Sequence, residues 1–255
     1  MKILIVMLVF VLTLQSNPPI DNKKILYTNL IGSATIITWG VLNWDYGKTS
    51  MHASSEGWFG KDTKNAGADK LGHFYATFLL SHYFANLYEG FGYDRQKAIK
   101  EGAISSFLLN TVMEVGDSFS SYGFSYEDFI INALGSYLGY YLLMHPEVND
   151  VVDIRLEYKP TDKITKGDSY DVFTDYNGMK FLTAVKFDGI SSLENTFLKY
   201  FEFHIGYYTR EKSKKNNRYP YVAIGINLSH LLAPVSKKGS KFFNYYQMPY
   251  IYISN

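Results

Sequence analysis

Gly67-Ala68-Asp69-Lys70-Leu71-Gly72-His73-Phe74 sets an acid, a base and an imidazole within five positions, where a long apolar run begins. If the run is a helix, Asp69 and His73 are four apart and share a face with Thr77, and Leu80 follows along it. Charged residues that open an apolar helix must be solvated, paired or put to chemical use. The run continues to about Tyr88 and meets Glu89-Gly90-Phe91-Gly92, where two glycines stop it.

Three more runs of this kind flank it. The first covers residues 26–44, with small residues at Gly32, Ser33, Ala34 and Gly40 and with Trp39 and Trp44 near its end. A polar, Gly-containing loop follows over 45–68, carrying Glu56-Gly57-Trp58-Phe59; loops of this length are uncommon without a purpose. Asp94 is placed to cap a third helix over 95–119. Near its C-terminal end stand Glu114 and Asp117, three apart on one face and facing the negative end of the helix dipole. That placement is locally unfavourable and calls for a metal, a lysine or a shared proton. Ser125, Glu127 and Asp128 open a fourth helix, which His145-Pro146 stops after Met144. Asp128, Asn132, Gly135 and Gly139 fall on one face of it, and Gly135-x-x-x-Gly139 lets another helix come close.

From residue 150 the period changes to two. Asp153-Ile154-Arg155-Leu156-Glu157-Tyr158 alternates polar and apolar residues, and strands are expected over 179–187, 200–209, 219–227 and 242–253. Residues 210–218, basic and polar, read as a hairpin loop. The expected fold is therefore α+β. An N-terminal bundle of about four helices (26–146), membrane-embedded or membrane-associated, precedes a small antiparallel β-rich half rich in Tyr and Phe (150–255). Residues 1–16, with Lys2 and then a dozen apolar positions, read as a signal peptide or an N-terminal anchor, since the run is short for a membrane span.

Composition narrows the function classes. Lys and Arg number 25 against 24 Asp and Glu, so no basic excess points to nucleic acid. There is no cysteine, which excludes disulfides, thiolate metal sites, a cysteine nucleophile and acylation of an N-terminal cysteine. Tyr (23) and Phe (18) far outnumber Trp (3), a bias that suits interfaces, including the membrane–water boundary. No Gly-x-Ser-x-Gly elbow, phosphate loop or His-Glu-x-x-His helix marks a hydrolase, so the sequence leaves open whether the protein is an enzyme.

Helices two, three and four, if joined by short connections, run antiparallel to their neighbours. Asp69, Lys70 and His73, then Glu114 and Asp117, then Asp128 and Asn132 would all fall at one end of the bundle. One imidazole, several carboxylates and an amide can hold a divalent metal ion, with His73, Glu114, Asp117 and Asp128 as candidate ligands. They can also form an acid–base site, or close an ion-pair network around Lys70. Capping alone would account for Asp69 and Asp128, and an interhelical hydrogen bond for Asn132. Four apolar runs of about 12–19 residues are at or below the length that spans a bilayer. Lys23, Lys24, Arg95, Lys97 and Lys100 gather at one end in a positive-inside pattern, but a periplasmic bundle resting on a membrane fits equally.

Glu56-Gly57-Trp58-Phe59, Gly67 to His73, Glu114-x-x-Asp117 and Phe124-Ser125-x-x-Asp128 with Asn132 and Gly135 resemble the YfiM-like family, a bacterial domain of unknown function described as predicted periplasmic lipoproteins. Asp175-Tyr176-Asn177-Gly178, His204 to Thr209 and Gly225 to Ser229 resemble its longer members. A more distant similarity links the Asp-Lys-x-x-His, Glu and Asp-x-x-x-Asn pattern to VanZ-like membrane proteins, without that family's usual glutamine and arginine. The resemblance implies a periplasmic or membrane-associated envelope protein whose partner is a membrane lipid or another envelope component, and it implies no established activity.

Overall fold

The computed structural model describes residues 22–212 and 215–255; the leader or anchor expected over residues 1–16 lies outside them. Four long helices come first: α1 (Lys23–Asn43), α2 (Ala68–Gly90), α3 (Arg95–Asp117) and α4 (Tyr126–Met144). A five-stranded antiparallel sheet follows in simple chain order: β1 (Val152–Tyr158), β2 (Met179–Lys186), β3 (Phe201–Lys212), β4 (Lys215–Ile226) and β5 (Tyr252–Ser254). This is the mixed α+β architecture expected. The chain forms two compact units, one holding residues up to Gly57 with Ala76–Met144, the other Trp58–Tyr75 with His145–Asn255.

In the helical unit the start signals act as the sequence implies. Asp94 Oδ1 accepts from Lys97 N at 3.0 Å, and Ser125 Oγ accepts from Asp128 N at 3.2 Å. The helices then approach closely at small residues. A Cβ on Gly102 would lie 2.5 Å from the Ala85 backbone N, and one on Gly139 would lie 1.8 Å from Ser81 Oγ. Tyr46 sits between Gly40 and Gly116, either of which would meet its ring at 2.1 Å with a Cβ added, and its hydroxyl donates to Met113 O at 3.0 Å. Apolar clusters form around Ile37, Tyr46 and Val112 and around Phe84, Tyr88 and Leu109. Much of the remaining interior is polar. Ser106 Oγ donates to Thr77 O, Ser136 Oγ donates to Ala103 O, both at 2.6 Å, and the Tyr88 and Ser105 hydroxyls meet at 2.8 Å. Burial pushes His82 down to about 4, so it is neutral at physiological pH. Large apolar side chains such as Ile31, Leu42, Leu134 and Tyr137 face outward instead.

In the sheet unit the same inversion is complete on β1. Asp153, Arg155 and Glu157 are buried on β1, while their apolar neighbours Ile154, Leu156 and Tyr158 are half-exposed. Register aligns the buried face across the sheet: Ala184 opposite His204 and His204 opposite Ala223, then Lys186 opposite Glu202 and Glu202 opposite Gly225. The Arg155 guanidinium donates to Asp153 Oδ2 (2.6 and 3.2 Å), to both Glu202 oxygens (2.6 and 2.9 Å) and to Gln247 Oε1 (3.1 Å). Lys186 reaches Asp153 at 2.8 Å, and His204 Nε2 meets Glu202 at 2.8 Å. Glycine is required beneath His204, because a Cβ on Gly225 would lie 2.5 Å from its ring.

Two expectations for this half are corrected. The polar stretch 210–218 is largely strand, since β3 runs to Lys212 and β4 resumes at Lys215, pairing Arg210 with Asn217 and Glu211 with Asn216. Residues 242–253 are not one strand. Ser236 Oγ accepts from Gly239 N at 3.1 Å and starts helix α6 (Lys237–Phe243), which follows α5 (Leu228–Leu232). Tyr250 then takes a left-handed φ of 68°, leaving only three residues for β5. The segment joins the sheet's two edges. Leu156 N donates to Tyr245 O and Gln247 N to Leu156 O on the β1 side, and β5 pairs with β4 on the other.

Two substitutions test this packing. Gly116→Ala should lower stability by about 1–3 kcal/mol in denaturant unfolding, because the Tyr46 ring has no room to retreat. Arg155→Leu should cost about 3–5 kcal/mol by leaving Asp153 only Lys186 and Glu202 only His204 as partners, and adding Glu202→Gln to it should recover part of the loss.

Candidate carboxylate site

Glu114 lies on the last turn of α3 and Asp128 on the first turn of α4. Their side chains are 1% and 2% exposed, and each offers a carboxylate oxygen within 4.8 Å of the other. The antiparallel run of α3 and α4 brings them together: Ser136 bonds Ala103 at one end of the pair, and the acids meet at the other. Because Ser125 caps α4, the Asp128 carboxylate is not the cap that the sequence allowed it to be. One turn further along α4, Asn132 is fully buried, and its Oδ1 accepts from Thr77 Oγ1 of α2 at 2.9 Å. Its Nδ2 has no hydrogen-bond partner among the described residues. Thr77, Glu114, Asp128 and Asn132 thus gather at one end of the helical unit.

Glu127 has a different task from its neighbour. It is fully buried and accepts from Ser55 Oγ (2.6 Å), Gly57 N (3.1 Å) and Ser125 Oγ (3.2 Å). An isolated bridge between Ala53 and Phe124 runs beside this anchor. Gly57 supports the turn with a φ of 73°. Glu56, held between the two anchored residues, brings a carboxylate oxygen within 4.8 Å of one on Asp128. Burial pushes the Glu127 carboxyl up, but the hydrogen bonds from Ser55, Gly57, Ser125 and its own backbone outweigh this and hold it below the usual 4.5. Sequence reading recorded Glu56 and Glu127 only as parts of motifs. The signal available was the pairing of a long loop bearing Ser-Glu-Gly with a Ser-x-Glu-Asp helix start.

Asp117, three residues beyond Glu114, is half-buried beside Tyr46. Burial raises the Tyr46 phenol well above its ordinary range, and the negative charges of Asp117 and Glu114 add to that. The main-chain oxygen of Asp117 accepts from Gly123 N and Ser120 N, both at 2.9 Å, fixing the turn into α4.

Asp69, Lys70 and His73 lie on the first turns of α2, in the stretch that belongs to the sheet unit. A short 3₁₀ turn (Lys64–Gly67) leads in, with Asn65, Ala66 and Gly67 all at positive φ, and Tyr207 of β3 donates to Ala66 O. Ala68 packs on Met179 and Phe181, and a Cβ on Gly72 would lie 2.8 Å from the Tyr176 ring. Asp69 and Lys70 are buried and form an ion pair at 2.8 Å, so neither is a solvated helix end. His73 is half-buried and stands one turn before Thr77 on the unbroken helix.

Chemically, two buried carboxylates this close require a cation, a proton or strong donors beside them. Oxygen donors in such a set suit Mg²⁺, Ca²⁺ or Mn²⁺. Glu127 is a positioning residue for the loop that carries Glu56. Its folded carboxyl is depressed, so the stability it confers is complete above the unfolded value and is lost as pH falls through the folded one. Glu127→Gln should therefore cost about 1–3 kcal/mol at neutral pH. The gap from the parent protein should close on acidification below the usual carboxylate range, as read by thermal melts across pH.

A family described as predicted periplasmic lipoprotein, of unknown function (DUF2279), matches residues 55–144. That is roughly a third of the chain, and it includes every candidate residue from Glu56 to Asn132. No curated protein and no solved structure matches the chain. Helix α1 is long and apolar enough to cross a membrane by length and composition. It is the one helix among the described residues that is, and a helix of this kind fits a signal or anchor. The chain is similar over residues 55–144, which hold α2, α3 and α4, to an uncharacterised periplasmic family, and the protein is one of the cell envelope.

Proposed function

We propose that this envelope protein binds an oxyanion group of an envelope component, a lipid phosphate or a cell-wall carboxylate, through a divalent cation held at Glu114 and Asp128. One observation carries the reading: two carboxylates no more than 2% exposed, supplied by different helices, with oxygens within 4.8 Å of each other. Glu56 offers a further oxygen from a loop that Glu127 fixes. Asn132 adds the complementary feature. Its buried Nδ2 stands one turn beyond Asp128 and can donate to an oxyanion oxygen, which a carboxylate pair alone would repel. Residue type and spacing also nominate Asp117 and His73; Asp117 lies beside Tyr46, and His73 belongs to the sheet unit.

A second reading makes the polar cluster an interhelical network that anchors the fold. The Thr77–Asn132 hydrogen bond between α2 and α4 favours it. Metal analysis and calorimetric titration with Mn²⁺ and Ca²⁺ separate the two, using the parent protein, Glu114→Gln, Asp128→Asn and His73→Ala. The binding reading expects one ion per chain in the parent and its loss in Glu114→Gln and Asp128→Asn. The network reading expects no ion in any of them, with lowered melting temperatures in the variants.

A further inference from the structure

The buried face of the sheet carries the Arg155 network beside Leu182, Tyr221 and Ala223, and the outward face of β3 and β4 is apolar at its centre. Ile205 is 56% exposed, Ile224 47% and Ile253 85%, with Val222 and Ile226 also exposed. Register makes them neighbours: Ile205 opposite Val222, and Ile224 opposite both Phe203 and Ile253. Antiparallel sheets with one solvated face normally turn polar residues outward. Here β1 turns its charged set inward, the outward positions of β3 and β4 at Ile205, Val222, Ile224 and Ile226 are apolar and exposed, and the edges of the sheet are joined by the C-terminal segment. Apolar-out, polar-in alternation on antiparallel strands is the arrangement of proteins whose outer solvent is lipid.

A second feature indicates what covers this face. The end of β3 and β4 marked by Phe201 and Ile226 is bordered by residues 197–200 and by α5, since Asn227 N donates to Tyr200 O, and α6 packs on α5. There Lys237, Lys238 and Lys241 are exposed, beside exposed Phe197, Tyr200, Val235 and Phe242. Aromatic rings mixed with lysines at the border of an apolar surface match the headgroup boundary of an anionic membrane. We infer that the outward face of β3, β4 and β5 lies against the acyl region of an anionic bilayer, with the α6 lysines at its headgroups. This rests on the sheet unit alone and is independent of the carboxylate site.

Because the chain has no cysteine, single reporter positions are clean. The full chain carrying Ile205→Cys, Ile224→Cys or Glu211→Cys would be labelled with an environment-sensitive fluorophore. Each would be mixed with phosphatidylcholine–phosphatidylglycerol vesicles with and without brominated acyl chains. Labels at 205 and 224 should shift to the blue and be quenched by the brominated lipid several-fold more strongly than the label at 211, on the exposed end of the hairpin. Lys237→Glu with Lys238→Glu and Lys241→Glu should weaken that quenching when phosphatidylglycerol is present. Vesicle-bound protein whose labels at 205 and 224 stay unquenched would overturn the inference. So would failure to bind vesicles, or labels shielded without lipid in a chain whose scattering mass is that of a dimer.

Discussion

All five donors of the Arg155 guanidinium are engaged inside the sheet, four on Asp153 and Glu202 and the fifth on Gln247. Much else depends on that fork. It ties β1 to β3, and through Gln247 it holds the C-terminal segment that joins the two sheet edges. It also supplies the positive charge without which Asp153 and Glu202 could not be buried together. Lys186, His204 and the Lys180–Glu157 pair extend the network across the same face. With that network filling much of the inner face, only Leu182, Tyr221 and Ala223 form an apolar cluster there, and Ile205, Val222, Ile224 and Ile226 are left on the outer surface.

The helical unit solves a similar problem with weaker bonds. Its interior serines and asparagines donate to main-chain oxygens of neighbouring helices, as Ser106 does to Thr77 and Ser136 to Ala103. Such bonds need backbones in close approach, which is what Gly102 and Gly139 provide. The exposed aliphatic and aromatic side chains on α1 and α4 are the counterpart of that choice.

The helices were legible because punctuation and period agree: Asp94 caps α3, Ser125 opens α4, and Gly90 and Pro146 end helices where expected. The pairing of Glu114 with Asp128 followed from short connections and an acid at each facing end. The strands were legible from alternation, but period two does not say which set turns inward. In β1 the charged set does, because partners for it exist on β2, β3 and the C-terminal segment, all far away in sequence. The last strand was overestimated because Tyr, Phe and Ile have high strand propensity, whereas the Ser236 cap and the Tyr250 backbone decide the local structure. The polar hairpin was underestimated because its strands are two-sided and carry no alternation to read.

Glu114, Glu127 and Asp128 show why residue type alone could not assign roles. Glu127 and Asp128 are adjacent, similarly buried and equally favoured by the start of a helix. Helical geometry points them about a quarter-turn apart, and their surroundings do the rest. Glu127 meets two donors of the 53–57 loop, so its charge is consumed in holding that loop. Asp128 is relieved of capping by Ser125 and brings a carboxylate oxygen within 4.8 Å of one on Glu114 and of one on Glu56. A carboxylate held by the donors of one loop is a structural anchor, whereas two buried carboxylates brought this close by different helices must share a cation, a proton or strong donors. On that difference in neighbours, rather than on sequence position, the helical unit's chemistry turns.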